Sequence, residues 1–232
     1  PAARLCAALG ADTIVCMAAH ARELVAEAGR TGRLPPGTVV QFSGSRSSAP
    51  MRRELLEHVC DGVAVTYSMQ ECGSIARTVE RSVGDVSESV GRPHPGIEVE
   101  IVDERGTPLP QGEIGEIRIR APGMATGYVD DERADVMHFR GGWFHPRDLA
   151  SFSPDGSLVI HGRADDVMNL NGIKIAGVEI ERALERHPAV KAVAAFPLRS
   201  VHHGEIPAAA VELTDGRRSD ERVGGEPRAG VA

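Results

Sequence analysis

The stretch His161–Glu181, HGRADDVMNLNGIKIAGVEIE, says more about the fold than any other part of the chain. Its Asn171-Gly172 dipeptide is the pair that best suits a type I′ turn, and short apolar runs flank it on both sides. The stretch therefore predicts a small two-stranded hairpin. Arg163 and Asp165 precede that hairpin, in a position that we interpret as a hinge between two domains.

The first 90 residues alternate between short apolar runs and helical patterns. The predicted strands are 13–17 (a short buried strand), 38–42 and 63–67, and the predicted helices are 18–29 and 51–60. Strands that alternate with helices are typical of βαβ units, so this part predicts a largely parallel sheet.

The pattern changes after about residue 90. Residues 97–102 and 113–120 alternate strictly between apolar and polar, as half-exposed antiparallel strands do. A further strand is predicted at 157–160, and a helix at 130–138 is an insertion. These features favour a barrel-like antiparallel subdomain.

The part after the hinge predicts a helix over 177–188, ended by Pro188, and strands at 190–196 and 206–213. From residue 215 the chain is polar and Gly-rich without periodicity, so we expect disorder there.

The expected fold class is therefore α/β, with a small α+β domain at the C-terminal end. The expected units are a βαβ piece at 1–90, a β-barrel subdomain at 91–162, a hinge with a small domain at 163–214, and a disordered tail at 215–232.

Composition excludes several classes of function. The formal net charge is −7 with acids and bases interspersed, so no basic patch suits a nucleic acid. No apolar run approaches the roughly 18 residues of a membrane span. The four cysteines form no CxxC pair, which favours reduced thiols and a cytoplasmic location. The nine histidines lack the spacing of a metal site built by the protein alone.

Two segments carry residue types that suit a nucleotide. TYSMQEC (66–72) is expected as a loop after the third strand, where Tyr67 can stack on a purine and Glu71 can hold Mg²⁺ beside phosphates. In GGWFHPRDLA (141–150), the two oxygens of Asp148 can each accept one hydroxyl of a cis-diol. Structural interpretations stay open as well, since Tyr67 could simply pack and Asp148 could cap a turn.

These segments, in this order, resemble motifs of the adenylate-forming enzymes, the superfamily of acyl-CoA synthetases, nonribosomal-peptide adenylation domains and luciferases. TYSMQE is similar to the family's Tyr-Gly-x-Thr-Glu loop, GGWFHPRDL to Gly-Trp-Phe-x-Thr-Gly-Asp-Leu, and HGRADD to the family hinge motif. GEIRIRAPGMATGY (115–128) is similar to another family segment, which we interpret as a marker and not as a site. The resemblance covers about residues 12–213, the second half of such an enzyme.

The resemblance implies a nucleotide site with five side chains. Tyr67 would stack on adenine, Gln70 would contact phosphate and Glu71 would bind Mg²⁺. Asp148 would accept the ribose hydroxyls, and Arg163 would contact the ribose and phosphate. The implied cofactors are ATP or AMP, Mg²⁺ and CoA.

The resemblance also implies a mobile C-terminal lid. Asp165 would be the residue about which the lid swings, and Gly172 at the hairpin tip would line the tunnel for the pantetheine of CoA. The expected fold is therefore part of the family's large domain followed by this lid.

Four positions depart from the family pattern. Ser68 and Gln70 stand where Gly and Thr are usual, and Pro146 and Arg147 stand where Thr and Gly are usual. Gln70 can still donate to a phosphate, although it is longer. The Arg147 side chain needs space that is not required at a position where glycine is usual.

The family's Lys-containing phosphate loop belongs upstream of Pro1, and no lysine follows Lys191 to act as its C-terminal catalytic lysine. Because such a lysine neutralises charge that develops during adenylation, we expect this polypeptide to be a fragment that is inactive alone.

The favoured hypothesis is a fragment of an AMP-forming acyl-CoA synthetase acting on a small carboxylic acid. One alternative is an adenylation domain that loads the phosphopantetheine of a carrier protein. The other is a non-catalytic, truncated remnant.

Overall fold

A computed structural model describes residues 2–44, 46–170, 173–187, 189–200 and 204–213. These residues form three β-sheets with flanking helices. The first unit contains α1 (Ala2–Leu9), β1 (Thr13–Cys16), α2 (Ala18–Thr31), β2 (Val39–Phe42), α3 (Ala49–His58), β3 (Gly62–Met69), β4 (Gly73–Glu80) and β5 (Arg92–Pro93).

The strands of the first sheet lie in the order β1-β2-β3-β4-β5. The pairs β1–β2 and β2–β3 are parallel, as the βαβ pattern predicts. The pairs β3–β4 and β4–β5 are antiparallel, so the prediction of a largely parallel sheet describes only part of it. The reason is the turn at 70–72, because three residues can reverse the chain but cannot form the crossover that a parallel neighbour requires.

Two sequence expectations fail locally in this sheet. The strand at 13–17 was expected to be buried, but only Cys16 of β1 is buried, since β1 lies at the sheet edge. The third strand was predicted to end at residue 67, but β3 continues to Met69, and only residues 70–72 of the expected loop form a turn.

The core of this unit lies between the parallel strands and the helices. The predicted apolar face of α3 is confirmed, because Leu55, Leu56 and Val59 are all buried. They pack in one cluster with Phe42 and Val63 from β2 and β3. The Ser48 side chain caps the start of α3 by accepting a hydrogen bond from the backbone N–H of Met51, at 3.4 Å.

The second sheet is antiparallel throughout. It contains β6 (Glu98–Val102), β7 (Gly115–Arg120), β8 (Phe139–Arg140), β9 (Trp143–Phe144), β10 (Asp148–Phe152) and β11 (Leu158–Arg163), with α4 (Glu132–His138) inserted before β8. One edge of β7 pairs with β6, and its other edge is shared by β10 and β9. The predicted strands and the helical insertion are confirmed, whereas β8, β9 and β10 carry too little periodicity to be found from sequence.

The third unit contains β12 (Val167–Leu170), β13 (Ile173–Ala176), α5 (Gly177–Glu185), β14 (Val190–Ser200) and β15 (Gly204–Leu213). Its strand order is β13-β12-β15-β14, and the neighbours are antiparallel. The two predicted hairpin strands are confirmed. The Asn171-Gly172 turn, Pro188 and the tail lie outside the described residues.

Charged side chains join this unit to the rest of the chain. Arg46 pairs with Glu181 at 3.6 Å and with Glu185 at 3.2 Å on α5, and Arg182 pairs with Glu88 at 3.2 Å. Partly exposed ion pairs of this kind contribute little each, so this contact is easier to break than a packed apolar one. Among the described residues, no helix is long and apolar enough to cross a membrane.

Candidate functional site

The ends of three strands bring the candidate nucleotide residues together. Tyr67 lies near the end of β3, Asp148 is the first residue of β10, and Arg163 is the last residue of β11. The antiparallel register of β10 and β11 places Asp148 directly opposite Arg163. Residues that are 81 and 96 positions from Tyr67 in sequence therefore meet at one edge of the fold.

Asp148 is the centre of this cluster. The Tyr67 hydroxyl donates to Asp148 Oδ2 at 2.6 Å, and an Arg163 guanidinium nitrogen lies 3.7 Å from Asp148 Oδ1. Burial raises the pKa of the Asp148 carboxyl above its ordinary value, against the lowering effects of the Tyr67 hydrogen bond and the Arg163 charge. One carboxylate oxygen of Asp148 thus faces the Tyr67 hydroxyl, and the other faces the Arg163 guanidinium.

Of the two interpretations that the sequence left open for Tyr67, the structure shows packing, and stacking on a purine stays a prediction. Tyr67 packs against an apolar cluster that both the first and the second sheet supply, with residues such as Ile75 of β4 and Phe144 of β9. Its hydroxyl is committed to Asp148. Burial, and then the Asp148 charge, raise the pKa of Tyr67 far above its ordinary value, so the phenol stays protonated and remains a donor.

The proposed hinge residue Asp165 lies in a short 3-10 turn, Ala164–Asp166, between the second and third sheets. The Arg147 guanidinium binds it through two nitrogens, with Nη2 2.7 Å and Nε 3.0 Å from Oδ1. Arg163 lies 3.5 Å from Oδ2 on its other side. The hydrogen bond from Arg147 is the main reason why the pKa of Asp165 lies below its ordinary value.

The contact between Arg147 and Asp165 was not predicted from the sequence. The φ of Arg147, 65°, falls in the left-handed region that favours glycine, which is the residue usual at this position in the resembling family. The concern that an arginine would lack room is wrong. Its side chain is 31% exposed and extends along the surface to Asp165. The only sequence signal was the replacement of a glycine by a long side chain.

Glu71 lies in the turn between β3 and β4 and belongs to a second group of contacts. Its Oε1 accepts a hydrogen bond from the Tyr128 hydroxyl at 2.7 Å, and its backbone carbonyl accepts one from the N–H of Ala125 at 2.8 Å. Gln70, the expected phosphate contact, is exposed beside it. The family-marker segment 115–128 thus also supplies a contact to Glu71, which its sequence pattern does not indicate.

The fit of a magnesium ion to Glu71 can be tested on the donor set. Within the described ranges, no three His, Cys, Asp or Glu side chains are close enough together to hold a metal. Glu71 would therefore be a single protein ligand. This arrangement suits Mg²⁺, which usually keeps several waters and binds through one or two carboxylates plus substrate phosphates.

A cleft of about 1080 Å³ lies between the second and third sheets, apart from the Tyr67–Asp148 cluster. Its lining includes Arg147, Glu116 and the buried His145. His145 Nδ1 and Glu116 Oε1 lie 3.6 Å apart, too far for a hydrogen bond. Burial is also the main cause that lowers the pKa of His145, so the imidazole is neutral at neutral pH.

Gly172, the expected pantetheine contact, lies outside the described residues. The structure thus connects Tyr67, Asp148, Arg163 and Asp165 through successive side-chain contacts. It places Glu71 in the neighbouring turn, with Tyr128.

Comparison with known proteins identifies the family. The model of the AMP-binding enzymes, described as "AMP-binding enzyme", matches residues 1–129. The 4-hydroxybutyrate–CoA ligase 2 of Metallosphaera sedula is 35% identical over 133 residues, which cover 56% of this chain and 24% of the ligase.

Two solved structures share the fold and 25% sequence identity. The amide bond synthetase McbA from Marinactinospora thermotolerans superposes with a TM-score of 0.82 over 94% of this chain and 45% of its own. The O-succinylbenzoate CoA synthetase of Bacillus subtilis, in complex with ATP and magnesium, gives a TM-score of 0.72 over 87% of this chain and 42% of its own.

This chain spans about a quarter of the ligase and less than half of either solved chain. The family match covers more than half of this chain, and the fold agrees with it over nearly its whole length. Together these findings confirm the resemblance in the sequence motifs: the chain belongs to the family of AMP-binding, adenylate-forming enzymes.

Proposed function

We propose that this chain is part of an AMP-forming acyl-CoA synthetase. In the first half-reaction a carboxylate oxygen attacks the α-phosphorus of ATP, giving an acyl-adenylate and releasing pyrophosphate. In the second, a thiol sulfur attacks the acyl carbon and AMP leaves. The observation that carries the proposal is the meeting of Tyr67, Asp148 and Arg163, which come from three separate motifs, around one carboxylate.

Each residue of the cluster has a proposed role toward the nucleotide. Asp148 accepts the two ribose hydroxyls, Arg163 supplies positive charge beside the ribose and phosphate, and the Tyr67 ring flanks the adenine. Gln70 donates to a phosphate from the exposed turn. When Mg²⁺ is bound, Glu71 holds it and the ion neutralises phosphate charge.

The third unit, residues 163–214, is proposed as a lid that moves about Asp165, with residues 1–162 forming the body. Two observations support this: a short turn links the units at Ala164–Asp166, and partly exposed ion pairs of Arg46 and Arg182 join them. Such pairs can break and re-form during a domain rotation because each contributes little. Gly172 would lie at the tip of this lid's hairpin.

CoA is the proposed acceptor, since several similar ligases are named for it and the hinge motif resembles that of the synthetases. The likeness to an amide bond synthetase makes an amine a second candidate acceptor. A carrier-protein thiol is the third. A cytoplasmic location is supported by the four cysteines, which are all buried and unpaired.

The proposal is tested first by nucleotide binding, because we expect the isolated chain to bind without turnover. Isothermal titration with AMP and with ATP should show binding that Asp148→Asn weakens more than tenfold. Asp12→Asn, the same change at an exposed aspartate outside the cluster, should leave the dissociation constant unchanged. No binding by the wild-type chain would favour the non-catalytic remnant. Equal binding by both variants would refute the proposed role of Asp148 in holding the nucleotide.

The acyl acceptor is identified by measuring turnover. The polypeptide isolated from its native source is supplied in turn with CoA, with a phosphopantetheinyl carrier protein and with an amine. Thioester formation with CoA is expected. Transfer to either of the other acceptors, with none to CoA, would refute the synthetase assignment while retaining the adenylating half-reaction.

A further inference from the structure

The segment 121–131 follows β7 and folds over the turn that carries Glu71. The backbone N–H of Ala125 donates to the Glu71 carbonyl at 2.8 Å, and the Tyr128 hydroxyl donates to Glu71 Oε1 at 2.7 Å. Glu71 and Tyr128 are 57 residues apart in sequence. One segment therefore holds both the backbone and the carboxylate of Glu71.

Tyr128 is itself fixed from two sides. Its ring makes edge contacts with His138, at 6.0 Å between centroids, and with Phe139, at 5.4 Å. Its backbone N–H donates to Asp135 Oδ1 at 2.6 Å. A Cβ on Gly127 would lie 2.8 Å from the Asp135 carboxylate, so a larger residue there would displace the acceptor of the Tyr128 N–H. These contacts leave the hydroxyl little freedom, so its position is defined before any ligand arrives.

The direction of the hydrogen bond is also defined. A phenol hydroxyl can donate a hydrogen bond, whereas a carboxylate oxygen accepts one. The Tyr128 hydroxyl is therefore the donor and Glu71 Oε1 the acceptor. Among the residues that the structure describes, none hydrogen-bonds the second carboxylate oxygen, Oε2.

We infer that Tyr128 is the positioning residue for Glu71: its hydroxyl fixes Oε1 and so presents Oε2 to the magnesium ion of the nucleotide. The inference rests on the proposed role of Glu71. It follows the general pattern in which a hydrogen bond to a metal-binding carboxylate orients that carboxylate, and in which loss of such a partner weakens metal binding about 10- to 100-fold.

The test compares ATP dissociation constants in Mg²⁺ and in EDTA, measured on the full 232-residue chain. The ratio of the two constants measures how much the metal adds to binding. Tyr128→Phe, which removes only the hydroxyl, should reduce this ratio about tenfold and leave the constant in EDTA unchanged. Glu71→Gln should remove the effect of Mg²⁺ altogether. Val129→Ala, at a neighbouring side chain that is 92% exposed, should change neither constant.

Two results would overturn the inference. One is an unchanged ratio in Tyr128→Phe, and the other is an equal loss of binding in both buffers, which indicates a merely structural tyrosine. If the wild-type chain binds no ATP in either buffer, the proposed function fails and the metal role of Tyr128 fails with it.

A second measurement tests the contact independently of any nucleotide. Tyrosine ionisation is followed by absorbance at 295 nm, with circular dichroism as the check that the fold persists. Glu71→Gln should make one tyrosine ionise at lower pH than in the wild type, because a neutral amide no longer opposes the phenolate. An unshifted titration would show that Tyr128 does not contact Glu71 in solution, and would refute the positioning role even if ATP binds.

Discussion

The Arg147 side chain binds the carboxylate of Asp165 through two guanidinium nitrogens, which lie 2.7 and 3.0 Å from the same oxygen. Arg147 takes this position from a backbone with φ of 65°, which disfavours every residue except glycine and, to a lesser degree, asparagine and aspartate. A residue with a left-handed backbone, directly before β10 of the second sheet, is therefore bound to the turn that leads to the third sheet.

The backbone strain at Arg147 predicts an order of stability among its variants. Arg147→Gly removes the ion pair but relieves the left-handed backbone, so its free energy of unfolding should be close to that of the wild type. Arg147→Ala loses the pair and keeps the strain, so it should be about 1 kcal/mol less stable than Arg147→Gly. Urea denaturation measures the difference. Equal stability of the two variants would show that the φ value carries no strain.

Burial of Asp148 predicts a conflict between stability and binding. Because its pKa is raised in the folded state, the folded carboxyl holds its proton more tightly than the unfolded one. Ionising the buried Asp148 carboxyl therefore lowers the free energy of unfolding. This loss is absent below the unfolded pKa of about 3.9, grows as pH rises through the folded pKa, and persists at neutral pH.

Asp148→Asn should therefore be more stable than the wild type at pH 7, by about 1 kcal/mol, and this gain should shrink as the pH is lowered to 4. The amide can still accept the hydrogen bond from Tyr67. Denaturation curves at several pH values provide the measurement. A variant that is less stable than the wild type at pH 7 would mean that the Arg163 charge outweighs burial.

For the buried ion pair Arg52–Glu80 we predict that the contributions of the two side chains to the free energy of unfolding are strongly coupled. The side chains are 3% and 2% exposed, and their guanidinium and carboxylate are in direct contact. Removing one partner leaves an uncompensated charge, so Arg52→Met should cost about 3–5 kcal/mol of unfolding free energy.

The double variant Arg52→Met with Glu80→Leu should recover most of that loss, because the pair gains little beyond its own desolvation cost. A double-mutant cycle in urea gives the coupling energy. Additive losses would indicate that the Arg52 hydrogen bond to the Ser87 carbonyl, and not the ion pair, dominates.

Two partly or fully buried histidines predict loss of stability in mild acid. Burial is the main cause that lowers the pKa of both His145 and His161 in the folded state. The unfolded chain therefore takes up protons first as pH falls below about 6.5, and the unfolding free energy decreases toward the folded pKa values.

Replacing His145 by Asn should flatten this decrease between pH 7 and 5, whereas His58→Asn, at an exposed histidine, should not. Thermal unfolding across that pH range makes the comparison. The same slope in the wild type and in the His145 variant would assign the acid sensitivity to other groups.

Local patterns in the sequence predicted most of the elements and the family. Period-2 alternation found β6 and β7, the βαβ rhythm found the parallel strands, and the order of motifs identified an adenylate-forming enzyme. These signals depend on neighbours in the chain, which is why they can be read without a structure. The motifs also indicate Tyr67, Asp148 and Arg163 as candidate site residues on the same basis.

Tertiary structure alone decided how those residues meet. The antiparallel β3–β4 pair depends on where the three-residue turn places the returning strand, and the register of β10 and β11 sets Asp148 opposite Arg163. The hydrogen bond from Tyr128 to Glu71 joins residues that are 57 positions apart, and the hydrogen bond from Arg147 to Asp165 joins residues that are 18 positions apart. Side-chain contacts across such separations depend on packing between elements, and no periodicity within either segment encodes them.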